Sequence, residues 1–302
     1  MDLDYSAIGT KIRELRKEVG LTQGELAKDI CTQALISRIE KGDIYPSAAS
    51  LYQVSKKLGV DVNYFFEIGS TPRLDYIKEV ERQLRTLRIK LKYHEMIEVV
   101  NLEERNPLFY NEPANLQLLL WHKSIFLFEV EKNHAKAIQL LKEAYELTAG
   151  PKKLLSEREI EILMTRGVFE FNLGNLEESM VLYEQVNDAL KTLEHLADKS
   201  IKTRLFYNIA RSLTRSGKYE ESTKYCQEGI RWCVEEEHFW GLGELYYHIG
   251  HNYEQEGKLD EALPFIEKAM VIFEMRNNHG YHSFIVKKKE QIMAMMKERA
   301  EG

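Results

Sequence analysis

The side chains of this sequence that could do chemistry are hydrogen-bonding groups at helical spacing, and the first set lies in "GLTQGELAKDICTQALISRIEKG", Gly20 to Gly42. The i,i+4 relations within this stretch place four residues on one face of a short helix: Gln33, Ala34, Ser37 and Arg38. That face offers an amide, a hydroxyl and a guanidinium, which act by hydrogen bonding. The outward face of this helix is therefore polar and short.

Two pairs of histidines are candidates for metal ligands. His248 and His251, and His279 and His282, each have helix-compatible spacing, and Glu244 precedes the first pair by four residues. No HExxH, paired-cysteine or glycine-rich phosphate motif accompanies them, and the two pairs fall in different parts of the chain. We therefore expect no metal site, no cofactor and no enzymatic activity.

The composition indicates an all-helical protein of about two domains. The 302 residues are 44% hydrophobic and 30% charged, which allows a sizeable core, and six prolines within nearly continuous helical periodicity argue for an all-α fold. The start "MDLDYSAIG" lacks the features of a signal peptide, and no run approaches the roughly 18 apolar residues of a membrane helix. We expect a cytoplasmic protein in which Cys226 and Cys233, about 10 Å apart on one helix, are reduced core thiols.

Five short helices must position the first polar set. Thr22 caps a second helix, with Glu25 as its capping-box partner, and Thr32 caps a third. Glycines end the first and third helices, and "VDVNYFF" begins a fifth. The apolar residues at helical spacing are Ile8, Ile12, Leu15 and Val19 in the first helix, Leu26 and Ile30 in the second, Leu35, Ile36 and Ile39 in the third, and Leu51, Val54 and Leu58 in the fourth.

These five helices, with "LTQGELA" and "ISRIEKG" at this separation, resemble the helix-turn-helix domains of the phage-repressor type. The resemblance implies that the third helix enters the major groove and that the second helix rests its N-terminus on a phosphate. It implies base contacts from Gln33 to adenine and from Arg38 to guanine or a phosphate, and an internal ion pair between Arg16 and Glu40. The DNA-binding set it gives is Thr22, Gln23, Thr32, Gln33, Ala34, Ser37 and Arg38. The alternative is a three-helix packing unit with solvated glutamine and arginine.

The charge of this N-terminal segment is unusual for a nucleic-acid binder. Residues 1–68 contain nine Lys and Arg against ten Asp and Glu, a net charge of −1, so the basic footprint is missing. A single domain of this kind would bind DNA weakly. We therefore expect two copies to act together, as a homodimer on a two-fold symmetric site in double-stranded DNA.

Helical repeats follow a break at "EIGSTPRLD", residues 67–75, which predicts a DNA-binding domain at 1–68, a linker at 69–75 and a second domain at 76–302. One signature recurs as "LGNLEES", "SGKYEES" and "EGKLDEA", with "EKNHAKA" at 131–137 as a degenerate copy. The intervals are 42, 43 and 40 residues, which is typical of a helical solenoid.

The last copy, "YYHIGHNYEQEGKLDEALPFIEKA", resembles a tetratricopeptide repeat, with Ile249, Gly250, Gly257, Ala262 and Ala269 at the small and apolar positions. Small residues let paired helices pack closely, and the stacked pairs leave a concave groove that the first helix of each pair lines. A bare scaffold for protein–protein contact is the alternative function of such repeats.

The two halves together resemble the peptide-pheromone-responsive transcription regulators of the PlcR, NprR, Rgg and PrgX type. The resemblance spans the whole chain and implies a quorum-sensing regulator. In such a regulator a cytoplasmic dimer binds a short imported signalling peptide in the groove of the repeats, and peptide binding alters DNA binding.

The repeats themselves indicate groove residues when they are aligned on their glycines. Nine residues upstream of the glycine the position is polar in every copy, and Asn208 there can donate to and accept from a peptide backbone. Arg211 and Arg215, one and two turns on, could hold a peptide carboxylate. The predicted peptide-binding set is Thr165, Asn208, Arg211, Arg215, His248, His251 and Gln255. The alternative is a set of solvated helix-surface side chains.

Three other interpretations stay open. Solenoids of the response-regulator phosphatase group are related, although that group carries a three-helix bundle where this chain has a helix-turn-helix. The repeats could also bind a protein partner, or no ligand. The tail "VKKKEQIMAMMKERAEG" favours a terminal capping or dimer-contact helix over membrane binding, since its apolar side is formed by Ile285, Ile292, Met295 and Met296.

Overall fold

The computed structural model describes residues 5–70, 74–150, 154–276 and 279–301. Every regular element in these ranges is an α-helix, which confirms the predicted all-α fold. The chain forms two compact units, Met1–Asn115 and Leu116–Gly302. None of the described helices is long and apolar enough to cross a membrane.

The first unit begins with the five predicted short helices. Their shared core is fully buried and contains Ile8 and Ile12 from the first helix, Ile36 from the third and Phe65 from the fifth. Val19 was predicted to continue the apolar spacing of the first helix, but that helix ends at Glu18 and Val19 is 52% exposed. The helices are α1 (Tyr5–Glu18), α2 (Gln23–Ala27), α3 (Gln33–Glu40), α4 (Ala48–Leu58) and α5 (Val62–Ser70).

Three further helices complete the first unit: α6 (Leu74–Ile89), α7 (Tyr93–Glu103) and α8 (Pro107–Tyr110). Asp75, in the first turn of α6, accepts hydrogen bonds from Lys11 Nζ at 2.8 Å and from Tyr64 Oη at 2.9 Å. Polar contacts therefore tie α6 to α1 and α5. Residues 71–73 of the predicted linker lie outside the described residues, and the predicted domain limits 1–68, 69–75 and 76–302 stay a prediction.

The second unit contains four helix pairs and a terminal helix within its described residues. The pairs are α9 (Pro113–Glu129) with α10 (His134–Glu146), α11 (Glu157–Leu173) with α12 (Leu176–Thr192), α13 (Ser200–Arg215) with α14 (Tyr219–Glu235), and α15 (Leu242–Gln255) with α16 (Leu259–Met275). The terminal helix is α17 (His279–Glu301). Each recurring sequence signature falls at the turn within a pair, as the periodicity predicts.

The turn of each pair has a left-handed residue at the signature glycine. Gly174, Gly217 and Gly257 have φ of 90°, 75° and 76°. Lys132 holds the equivalent place in the degenerate copy with φ of 55°, a conformation that a side chain disfavours. The first repeat therefore keeps the turn geometry without the glycine.

Small residues set the close packing of α15 against α16. A Cβ atom on Gly250 would lie 2.7 Å from Ile266 Cδ1 and 3.2 Å from the carbonyl oxygen of Ala262. Ala262 and Ala269 have no exposed surface. A larger side chain at position 250 would force these two helices apart, which confirms the packing role predicted for the small repeat positions.

Helix α17 covers the last pair. Ile285 and Ile292 are fully buried against α16, as predicted for a capping helix, whereas Met295 is 38% exposed and does not belong to the buried side. The predicted core thiols are confirmed as well: Cys226 and Cys233 are free and buried, and burial raises the pKa of both.

Candidate DNA-reading helix and ligand-binding cleft

Capping interactions fix both helices of the helix-turn-helix. Thr22 Oγ1 accepts a hydrogen bond from the Glu25 backbone N–H at 3.2 Å, and the Glu25 carboxylate accepts one from the Thr22 backbone N–H at 2.7 Å. Thr32 Oγ1 accepts from the Leu35 N–H at 3.2 Å. The capping box and the second cap are both as predicted, and they define where α2 and α3 start.

A buried ion pair joins the first and third helices. Arg16 Nε and Nη2 donate to the two carboxylate oxygens of Glu40 at 2.5 and 2.9 Å, and Arg16 Nη1 donates to the Leu21 carbonyl at 2.7 Å. Burial alone would raise the pKa of the Glu40 carboxyl, but hydrogen bonds from Arg16 and Gln23 outweigh burial and lower this pKa. The predicted internal ion pair is confirmed, and it holds the end of the candidate recognition helix α3.

The candidate reading residues differ in their freedom to contact DNA. Gln33, Ala34 and Arg38 are exposed on α3, and Ser37 is half-buried. Gln23 Nε2 instead donates to Glu40 Oε2 at 2.9 Å, so this amide supports the ion pair. The outward face of α3 therefore presents one amide and one guanidinium, a pair of groups suited to base edges.

A lysine that sequence reasoning missed closes the C-terminal end of α2. Lys57 Nζ, from α4, donates to the carbonyl oxygens of Glu25 at 3.0 Å, Leu26 at 3.4 Å and Lys28. Asp29, in the turn that follows, has φ of 64°. The ammonium satisfies carbonyls that the end of a helix leaves without partners, and so it fixes the turn before α3. No local sequence signal marks it, because the contact spans some 30 residues.

The second candidate site is an open cleft of about 330 Å³ in the repeat unit, formed by the first helices of three successive pairs and by the start of α14. Five of the seven predicted peptide-binding residues line it: Arg211, Arg215, His248, His251 and Gln255. Phe171, Thr214 and Tyr219 complete the wall and were not predicted. Phe171 and Thr214 each lie three residues before a signature glycine, so the same alignment would have found them.

The two arginines of the cleft lie against one aromatic ring. The guanidinium carbon of Arg211 is 4.5 Å from the centre of the Phe171 ring, and that of Arg215 is 5.1 Å from it. Arg215 Nη1 also donates to the Phe171 carbonyl at 3.0 Å. The ring holds both cations by cation–π attraction while their remaining N–H groups stay available to the cleft.

His248 forms the floor of the cleft and is part of a buried polar network. Its Nε2 atom lies 2.8 Å from Thr214 Oγ1, which donates to Asn252 Oδ1 at 2.7 Å, and Asn252 Nδ2 donates to Ser222 Oγ at 2.8 Å. Burial, with a smaller effect of His251, lowers the pKa of His248 to about 4. The imidazole is therefore neutral near pH 7, and the network links α13, α14 and α15.

The other two predicted groove residues lie outside the cleft wall. Asn208 is half-buried on α13, one turn before Arg211. The Thr165 hydroxyl accepts a hydrogen bond from Trp121 Nε1 at 3.0 Å and donates to the Glu161 carbonyl at 2.8 Å. Peptide contacts of these two side chains stay a prediction, and Thr165 already has partners for its hydroxyl.

The histidine pairs do not assemble into a metal site within the described ranges. His251 Nδ1 lies 3.6 Å from Glu254 Oε2, and His248 is bonded to Thr214 as above. The side chain of His279 lies outside what the structure describes. Across the described side chains, no three histidine, cysteine, aspartate or glutamate groups converge as metal ligands.

Two family models match the chain. The RNPP family C-terminal domain matches residues 81–294, and the helix-turn-helix family matches residues 12–65. The first match alone covers more than half of the chain.

Known proteins share this organisation. The structure of Bacillus thuringiensis PlcR in complex with the peptide PapR7 and DNA has a TM-score of 0.83 at 24% identity, over 93% of this chain and 99% of that one. ComR from S. thermophilus, in complex with DNA and its signalling peptide ComS, has a TM-score of 0.62 at 16% identity, over 94% of this chain and 99% of that one. Regulatory protein RapG of Bacillus subtilis (strain 168) is 26% identical over 279 residues, 86% of this chain and 74% of RapG.

Proposed function

The chain belongs to the RNPP family, and from that membership we propose that it is a sequence-specific DNA-binding transcription regulator whose activity a short signalling peptide controls. The observation that carries the proposal is the presence, in one chain, of a capped helix with an exposed amide and guanidinium and of an open polar cleft in the repeats. The first is suited to base edges and the second to an extended peptide.

The DNA-binding part of the proposal rests on α3. Gln33 hydrogen-bonds an adenine edge and Arg38 reaches guanine or a phosphate, while Thr22 and Thr32 place the N-termini of α2 and α3 close to the DNA backbone. Ala34 and Ser37 complete the contact face. Gln23 acts mainly through Glu40, because its amide already donates to that carboxylate.

The peptide-binding part rests on the cleft formed by α11, α13, α15 and the start of α14. Asn208 anchors the peptide backbone beside the cleft, and the arginines, histidines and Gln255 contact its side chains or its end. PlcR and ComR, which have this fold, were each solved in complex with a peptide and DNA. These complexes support the proposal that this chain binds both a peptide and DNA.

We further propose a homodimer in the cytoplasm that binds a two-fold symmetric DNA site. The net charge of −1 over residues 1–68 leaves a single reading domain with little electrostatic affinity, and two linked domains compensate for it. The peptide changes DNA affinity to the extent that it binds two conformations of the dimer unequally. No enzymatic step is required.

Mapping of the DNA sites that the chain occupies across its genome tests this function. The recovered site and a scrambled version are then used for binding measurements with synthetic peptides encoded beside the occupied genes. We expect specific binding that one such peptide strengthens or weakens. Binding without sequence preference would remove the DNA-reading part, and specific binding that no peptide alters would leave a regulator of another kind.

A further inference from the structure

The cleft of the repeat unit has an unusual charge for this protein. Its eight lining residues include two arginines and two histidines and contain no carboxylate, whereas the whole chain has a net charge of −6. His248 is neutral near pH 7, so the fixed positive charge of the cleft comes from Arg211 and Arg215. A local excess of one sign in a cleft attracts ligands of the opposite sign.

Three cations of the helices that form the cleft or pack against them are paired with acids. Arg204 lies 2.7 Å from Glu161, Arg276 lies 3.1 Å from Glu244 and Lys288 lies 2.7 Å from Glu254. Arg211 and Arg215 have no carboxylate of the described residues at ion-pair distance. Unlike those three cations, Arg211 and Arg215 are therefore available to an external anion.

The position of the two arginines also favours an anion between them. They are related by i,i+4 on α13, where like charges repel, and both guanidinium groups lie against the Phe171 ring. Packing on the ring limits their rotation, so little side-chain freedom is lost when a ligand binds. A carboxylate that bridges the two would remove the repulsion and gain charge-assisted hydrogen bonds.

We propose that Arg211 and Arg215 form a carboxylate-binding subsite, so that the cleft selects peptides with a free C-terminus or an Asp or Glu side chain at this point and rejects basic ones. This inference rests on the proposed peptide-controlled function and adds the chemical class of the ligand. Selection against lysine and arginine follows because they would meet two unpaired guanidinium groups.

Affinity selection with synthetic octapeptide libraries tests the subsite. An extended octapeptide covers three neighbouring helices, since packed helices are about 8–10 Å apart and an extended chain advances roughly 3.3 Å per residue. The full-length protein is offered four libraries, with a free or an amidated C-terminus, each with or without Asp and Glu. Retained peptides are quantified by mass spectrometry.

We expect retention of the amidated library without Asp and Glu to be roughly 10- to 100-fold weaker than that of the best acidic library. Two libraries contain only one kind of carboxylate: the library with a free C-terminus but no Asp or Glu, and the amidated library with Asp and Glu. Whichever of the two is retained better shows whether the subsite binds a terminal or a side-chain carboxylate. The double variant R211Q/R215Q should lose this preference, and so in part should R215Q alone, which alters an exposed side chain. The control K224Q/R231Q removes two positive charges from α14 outside the cleft and should keep the preference.

Each outcome bears on a different claim. Equal retention of all four libraries by the wild-type protein, or an unchanged preference in the double variant, would overturn the carboxylate subsite and leave peptide binding intact. Failure of the wild-type protein to retain peptides from any library would remove the proposed peptide control, and the subsite with it.

Discussion

Replacement of Glu40 by alanine is expected to destabilise the five-helix domain, because it breaks a buried ion pair. The Glu40 side chain is only 2% exposed and accepts hydrogen bonds from Arg16 and Gln23. Removal of the carboxylate leaves two groups without their acceptor: the Arg16 guanidinium, whose side chain is 11% exposed, and the Gln23 amide. The position of α3 depends on this carboxylate, so stability and DNA reading are both affected.

The size of the effect follows from the geometry. Breaking a buried ion pair by removal of one partner costs about 3–5 kcal/mol. Arg16 keeps its hydrogen bond to the Leu21 carbonyl, so we expect a loss at the lower end of this range, about 3 kcal/mol. A loss of this size increases the unfolded population of the five-helix domain roughly 150-fold. The pKa of Glu40 is lowered by folding, so its contribution is complete above the unfolded pKa of about 4.3 and is lost as the pH falls through the lower folded pKa.

Hydrogen exchange followed by mass spectrometry measures this domain separately from the repeats. Amides of α1 and α3 in the Glu40→Ala variant should exchange about 150-fold faster at pH 7, if exchange follows domain opening. Glu18→Ala, an exposed change at the end of α1, is the matched control and should have little effect. Exchange rates in Glu40→Ala that match those of the control would refute the structural role of the ion pair.

Two other expectations can be measured on the same protein. Gln33→Ala and Arg38→Ala should each weaken binding to the specific DNA site by roughly 1–3 kcal/mol with little change on random DNA, and an equal loss on both in an anisotropy titration would exclude base reading. His248 should make the repeat unit less stable in acid, because the unfolded chain takes up a proton below about pH 6.5 whereas the folded imidazole does so only near pH 4. As the pH falls from about 6.5 to about 4, the free energy of unfolding of the wild-type protein should decrease by about 3 kcal/mol more than that of His248→Gln. Urea unfolding followed by tryptophan fluorescence measures this difference, since all three tryptophans lie in the second unit. Parallel stability–pH profiles for the wild-type protein and His248→Gln would contradict the prediction.

Local signals in the sequence were sufficient for the helix-turn-helix. A cap and its partner lie within three residues, so Thr22, Glu25 and Thr32 could be assigned from spacing alone. The ion pair of Arg16 and Glu40 came from the family resemblance. The first helix was predicted to include Val19 but ends at Glu18, because the apolar periodicity continues past the point at which the helix stops.

Contacts between distant segments could not be derived from spacing. The bond from Gln23 to Glu40 and the three carbonyls held by Lys57 depend on how helices meet, which the pattern of one helix does not specify. Repeat alignment identified most of the cleft because equivalent positions of stacked helices face the same way. It could not reveal that Phe171 lies beneath two arginines, since that contact is made only after stacking.

The most direct test of the account is the reciprocity between peptide and DNA. The affinity of the full-length protein for a library-selected peptide is measured by calorimetry with saturating specific DNA and with scrambled DNA, and DNA affinity is measured with and without the peptide. Linkage requires the same factor in both directions, about 5- to 150-fold for typical coupling. We expect equal factors for the wild-type protein and loss of the response in Asn208→Ala, with helical content and dimerisation as controls. A peptide that binds with the same affinity whether or not the specific DNA is present would contradict peptide control of DNA binding.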